Sequence, residues 1–255
     1  MSTHAGQLPD LNIQGSVATL CLHRPELANR LEIEDLKTIN QLLEQVNSNQ
    51  AIRVLRLTAT GRHFCSGFHT GKISGEDTGA LFEETAQALE QARPLTVAAI
   101  NGGIYGGATD LALACDFRIA VQSANMFVPV AEIGLHFYGS GLERYVSRLG
   151  LGVAKRLLLA GERFNASQML SAGFLDKLVG DAQELQAELD QFSAQLAGMA
   201  PLAVQGMKRN LNSIARGALD KDALNNDILR AQNSADLTEG VKAKAEKRRP
   251  VFIGA

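Results

Sequence analysis

Cysteine is scarce in this chain, with Cys21, Cys65 and Cys115 the only three among 255 residues. They lie far apart and are odd in number, which excludes both a disulfide framework and the paired spacing of a zinc site. Reduced thiols in a cytosolic protein are the reading that remains. Long apolar runs are missing too: none approaches the ~20 residues needed to cross a bilayer. Met1 to Asp10 holds no basic stretch leading into an apolar run, so it does not read as a signal peptide. Nor is one sign of charge in excess, since 25 Lys and Arg stand against 27 Asp and Glu. A net charge of -2 gives no global reason to bind nucleic acid or an anionic membrane, so any anion site must be local. The expectation is a cytoplasmic protein with no nucleic-acid partner, no membrane and no metal.

What is present is an ordinary globular composition, 45% hydrophobic and 20% charged. Leu11–Ile13 and Val17–Leu22 alternate apolar and polar residues around Gly15-Ser16, a hairpin pattern. Ile33, Leu36, Ile39, Leu43 and Val46 recur at helical spacing. Ile52–Thr58, Leu95–Ile100 and Phe117–Val121 read as buried strands, Leu81–Leu89 and Gly106–Ala114 as helices. From about Leu142 the pattern is almost all helix. Strands alternating with helices and then helices alone predict an α/β core with a helical C-terminal portion, divided as residues 1–195 and 196–255. The polar stretch Gly71–Gly79 is either a mobile rim over a site or a plain surface loop.

Two glycine-containing turns stand out. His63-Phe64-Cys65-Ser66-Gly67-Phe68-His69 follows a predicted strand. Asn101-Gly102-Gly103-Ile104-Tyr105-Gly106-Gly107 runs from a buried strand into a helix. At a helix start the first N–H groups lack intrahelical partners and attract negative charge, and glycine admits a ligand close to the backbone. Neither turn carries a phosphate-loop or dinucleotide fingerprint.

These turns resemble those of the crotonase superfamily, the enoyl-CoA hydratase/isomerase family. The match comprises FCSG at 64–67, NGGIYGGATDLALACD at 101–116, and Arg24-Pro25 with Asn29 near the start. Near the end it includes Glu239-Gly240, Glu246-Lys247-Arg248, Pro250, Phe252 and Gly254. The resemblance implies a crotonase-like fold of spiralling ββα turns with a helical portion that assembles a homotrimer, often stacked into a hexamer. It implies an acyl-CoA substrate, coenzyme A entering with the substrate and no separate cofactor. It also implies an oxyanion hole from the backbone N–H groups of Ser66 and Gly107, the kind of preorganised donor pair that an enolate requires. Coenzyme A is expected against Glu26, Ala28, Ser66, Gly67, Phe68, His69, Gly106 and Gly107, with Lys247 or Arg249 near its phosphates.

The chain departs from the family at the acids. The first catalytic glutamate, three residues after the oxyanion glycine, is here Asp110, read as a catalytic acid/base or as a structural carboxylate. The second falls at Ala131 or Val130 depending on the direction of counting, and neither is acidic. Glu132 lies one or two places away and stands as its candidate replacement. His69, His136 and Tyr138 are further polar residues, read as chemistry or as packing. Hydration or isomerisation of an enoyl-CoA is the expected activity, with isomerisation easier to support on one acid. Decarboxylation or hydrolysis of an acyl-CoA or acyl-carrier-protein thioester, and non-catalytic acyl-CoA binding, are the alternatives.

Overall fold

The computed structural model describes residues 6–69 and 78–255. Residues 71–77 of the stretch expected to rim the site lie outside the described residues. The N-terminal hairpin forms as β1 (Asp10–Gln14) and β2 (Val17–Leu22), with Gly15 at a φ of 60° in the turn. A helix then separates each pair of parallel strands. Helix α1 (Ile33–Ser48) leads to β3 (Val54–Ala59), and α2 (Thr78–Glu90) leads to β4 (Leu95–Ile100). The short β5 (Ile104–Tyr105) and α3 (Gly107–Ala114) lead to β6 (Phe117–Val121) and β7 (Asn125–Phe127). Helix α4 (Gly139–Leu158) breaks at Gly150, which has a φ of 79°. Then come β8 (Phe164–Asn165), α5 (Ala166–Ser171) and β9 (Lys177–Val179). The chain ends in α6 (Ala182–Ala197), α7 (Pro201–Ala215), α8 (Lys221–Gln232) and α9 (Ala235–Ala245).

The main sheet runs β1-β2-β3-β4-β6-β9 and is parallel from β2 onward; β5, β7 and β8 form a second, smaller sheet. Parallel pairing requires crossovers, and the intervening helices supply them. Every residue of β4 is buried, as expected of a central strand covered on both faces. The helix α1 buries the apolar positions its periodicity singled out, Leu36, Ile39, Leu43 and Val46. The C-terminal stretch is not wholly helical. Strand β9 pairs with β6 and completes the sheet edge, a three-residue element too short to leave a periodic signal. The expected boundary at 195/196 falls inside α6, which is anchored on the sheet by Arg56 donating to Ser193 Oγ at 2.8 Å.

Two ties fix the helical portion beneath the core. Buried Lys208 of α7 reaches Asp116 Oδ2 at 2.8 Å and the Pro94 carbonyl at 2.9 Å. Glu90, at the end of α2, receives Arg144 and Arg148 of α4 at 3.1 and 2.8 Å, together with Arg216 just beyond α7.

Candidate active site

The site starts from the Arg24–Asn29 turn. Buried Asn29 accepts the Arg24 N–H at 2.8 Å and donates to the Thr60 and His63 carbonyls at 2.8 and 2.9 Å. That clamps the turn onto the segment after β3. Ala28 is held left-handed at a φ of 50°, and its carbonyl accepts the Ser66 N–H at 2.9 Å. Ser66 is thereby corrected as an oxyanion donor, because its N–H is already engaged inside the fold. The next residues of the turn show which N–H is not. Leu31 N–H donates to the Gly67 carbonyl at 2.9 Å and His69 N–H to the Leu31 carbonyl at 3.0 Å. This parallel bridge brackets Phe68 and turns its own N–H to the opposite side. Among the described residues it has no acceptor.

The second turn supplies a partner. Gly106 donates its N–H to the Phe127 carbonyl at 3.0 Å and sits at φ 54°, ψ -132°, a conformation that favours glycine. Gly107 opens α3, and its N–H likewise has no acceptor among the described residues. The two turns approach so closely that a Cβ on Gly67, at a φ of 87°, would lie 2.8 Å from the Tyr105 carbonyl oxygen and 3.3 Å from the Gly107 nitrogen. Gly67, Phe68, Gly106 and Gly107 share one wall of a cavity of about 200 Å³.

The rest of that cavity is largely apolar, with Phe82, Val130, Ile133, Leu135 and Phe137 among its walls; its polar side chains are Ser66, His136 and Tyr138. No carboxylate lines it among the described residues. Asp110 is completely buried behind it. Arg144 grips both carboxylate oxygens, Nε to Oδ1 at 2.8 Å and an amino group to Oδ2 at 2.6 Å. Tyr138 donates its hydroxyl to Oδ2 at 2.5 Å. Burial, and then the Asp110 charge beside it, raise the Tyr138 phenol well above its ordinary range, so it stands as the neutral, proton-bearing form. Tyr138 is thus interposed between Asp110 and the cavity.

Glu132 does not reach the cavity. Ile133 N–H donates to the Pro129 carbonyl and Leu135 N–H to that of Val130, at 3.2 and 2.8 Å, which makes Ala131 and Glu132 the exposed tip of a tight turn. The Glu132 carboxylate lies over Gly161, where a Cβ would meet it at 2.8 Å. Of the two positions at which the second acid was sought, Val130 is the one on the wall. His69 pairs with Glu32 at 3.1 Å and does not line the cavity. His136 is exposed at the rim, its Nδ1 2.7 Å from the Phe137 carbonyl oxygen. Glu26, Lys247 and Arg249 are exposed.

Sequence reasoning missed Arg144, Glu90 and Phe82. A signal existed for the first: α4 buries Ser140, Gly141, Arg144 and Tyr145, so Arg144 occupies a core-facing position of an amphipathic helix. A charge placed there needs a buried counter-charge.

The sequence profile of the enoyl-CoA hydratase/isomerase family matches residues 12–255. The chain belongs to this family. It is 30% identical to the carnitinyl-CoA dehydratase of Proteus mirabilis, over 96% of this chain and 97% of that protein. It is 29% identical to the peroxisomal Delta(3,5)-Delta(2,4)-dienoyl-CoA isomerase of Arabidopsis thaliana, over 94% of each. The enoyl-CoA hydratase of Bacillus anthracis superposes with a TM-score of 0.88 at 27% identity, covering 98% of this chain and all of that one. The enoyl-CoA hydratase/isomerase family fold expected from the motifs is therefore the fold of this chain, and hydration or isomerisation of an enoyl-CoA is its class of activity. No helix among the described residues is long and apolar enough to cross a membrane.

Proposed function

We propose that this protein isomerises an enoyl-CoA rather than hydrating it. Its thioester oxygen would be held by the N–H groups of Phe68 and Gly107, and its acyl chain would lie in the apolar cavity. The observation that carries this reading is the pairing of two unengaged backbone donors with a wall that bears no carboxylate. An enolate oxygen needs preorganised donors, and those two require no rearrangement. Adding water across a double bond requires a group that positions and deprotonates the water. Val130 stands where that acid was expected and cannot do so. Shifting a double bond only moves a proton between two carbons of one substrate.

Coenzyme A enters with the substrate, and no further cofactor is invoked. Its adenine and pantetheine run along the backbone of Glu26–Ala28 and Ser66–His69, and Lys247 or Arg249 of a neighbouring copy meets the phosphates. The assembly is a homotrimer or a hexamer of stacked trimers. Three free thiols, two of them buried, fit the reducing cytoplasm.

The test is incubation in D2O with saturated, 2-enoyl, 3-enoyl and malonyl thioesters, followed by NMR. We expect deuterium at the α-carbon and interconversion of 2- and 3-enoyl esters without a hydroxyacyl product. A 3-hydroxyacyl product would establish hydration instead, and carbon dioxide from the malonyl ester would establish decarboxylation. Binding without any exchange would leave a non-catalytic acyl-CoA binder.

A further inference from the structure

We propose that Tyr138 is the catalytic residue that exchanges protons with the substrate, with Asp110 behind it as the store that makes both directions of transfer feasible. The proposal rests on the thioester reading of the cavity given above. Three observations carry it. Tyr138 lines the cavity while Asp110 does not, so a carboxylate placed for proton transfer by its position in the sequence has no direct access to a ligand. The Tyr138 hydroxyl is 2.5 Å from Asp110 Oδ2, a single short bond along which a proton can move. Asp110 lies three residues beyond Gly107 on α3, about 4.5 Å of helix rise. The phenol, bonded to that carboxylate and lining the same cavity as Gly107, is thereby tied to the helix whose first N–H is the proposed oxyanion donor.

The ring is fixed for this role from several sides. It stacks on Phe137 with centroids 4.8 Å apart and meets Phe82 at 6.0 Å. The charged and titratable groups around it are Asp110 of α3, Arg144 and Tyr145 of α4, and Glu83 of α2, whose carboxylate accepts the Ser140 N–H at 3.0 Å. Arg144 fixes both Asp110 oxygens, so the carboxylate cannot rotate away from the phenol.

The step balances without any co-reactant. A C–H proton of the substrate passes to the Tyr138 oxygen while the phenol's own proton passes to Asp110 Oδ2. The C–H electron pair enters the enolate, whose charge rests on the thioester oxygen between the two N–H donors. In the return step the phenol gives its proton to the other terminal carbon of the allylic system while Asp110 returns its proton to the Tyr138 oxygen, and the electron pair leaves the thioester oxygen to form the shifted double bond.

The test measures kcat, KM and α-proton exchange in the full-length protein. Tyr138→Phe keeps the stacked ring and removes only the hydroxyl. We expect kcat and exchange to fall by at least about a hundredfold, with KM changed less than about threefold. Replacing Tyr138 with 3,5-difluorotyrosine, which retains the hydroxyl, should restore turnover that Phe does not, a difference that a packing role would not produce. Asp110→Asn should lower kcat at unchanged KM, and Tyr138→Phe decides the question if that variant does not fold. Turnover of Tyr138→Phe at the wild-type level overturns the relay, as does a loss confined to His136→Gln, and either leaves the thioester reading standing. Absence of exchange in the wild-type protein overturns the relay and the proposed isomerisation together.

Discussion

Gly67 does two things that no other residue can do at its position. It holds a φ of 87°, and it lets the Tyr105 carbonyl and the Gly107 nitrogen come within reach of where a Cβ would be. Gly67→Ala therefore strains the backbone on which the Phe68 N–H depends and pushes the two proposed donors apart. Loss of one oxyanion donor typically costs ~10²–10³ in rate, and kcat of Gly67→Ala should fall by that much in a thioester assay. A fall of less than tenfold would remove this pair from the mechanism. The thiols give a second prediction at this scale. Burial pushes Cys65 and Cys115 up to about 12, and Cys21 is raised as well but remains half-buried. Iodoacetamide at pH 8 should modify Cys21 alone in the folded protein and all three thiols in urea. Because the two buried thiols stay protonated in the fold while the unfolded chain ionises near 9, the folded state holds more protons above that pH. Stability from these groups is complete below pH 9 and declines as pH rises toward about 12, by up to ~1.4 kcal/mol per pH unit per thiol. Urea midpoints measured from pH 8 to 11 should fall accordingly.

Between elements, the decisive contact is the buried chain Asp110–Arg144–Glu90, which ties α3, α4 and α2 together. Arg144 is 1% exposed and Asp110 0%, so water screens neither charge. Arg144→Met leaves the buried Asp110 carboxylate without its cation, while Glu90 keeps Arg148 and Arg216. Breaking a buried pair by removing one partner costs ~3–5 kcal/mol, and the thermal midpoint should drop by several degrees. Tyr138→Phe removes one bond to a charged group, worth ~1.5–3 kcal/mol, and should be the milder change. Differential scanning calorimetry of both variants checks the order. What was legible in the sequence follows the same division between local and distant. Helix α1 and the hairpin strands β1 and β2 announced themselves by periodicity, β3 and β4 by their apolar runs, and the two glycine turns by composition. The occupancy of Ser66 arises from the Ala28 carbonyl and the freedom of Phe68 from the Leu31–Phe68 bridge, pairings of segments that no local pattern encodes. Glu132 was misplaced for a related reason: the turn at Pro129–Leu135 presents residues 129, 130, 133 and 135 to the cavity, and only the crossing hydrogen bonds show which ones.

The whole molecule presents an uneven surface. Met207, Leu211 and Ile214 of α7 are 56, 64 and 53% exposed, and Leu229 of α8 and Val241 of α9 are 53 and 64% exposed. Helices α7 and α8 enclose an apolar groove between them, lined by Leu202, Met207, Leu211, Ile214, Leu224 and Ile228. Apolar residues scattered singly need no explanation, but a contiguous set on packed helices marks an association surface. The small net charge of -2 offers little repulsion against self-association. For the trimer or hexamer proposed above, sedimentation equilibrium should give a mass of about three or six times the 27.3 kDa of one chain. Leu211→Glu sets a charge in the middle of that surface and should shift the protein toward monomer, since an uncompensated buried charge costs several kcal/mol at each contact. If Lys247 or Arg249 reaches the coenzyme A phosphates of a neighbouring copy, dissociation also removes part of the substrate's binding site while leaving Phe68, Gly107 and Tyr138 in place. The dissociated variant should then show a raised KM with kcat largely kept. A monomeric wild type would refute the association, and a monomeric Leu211→Glu with unchanged KM would show that each chain holds its whole binding site within itself.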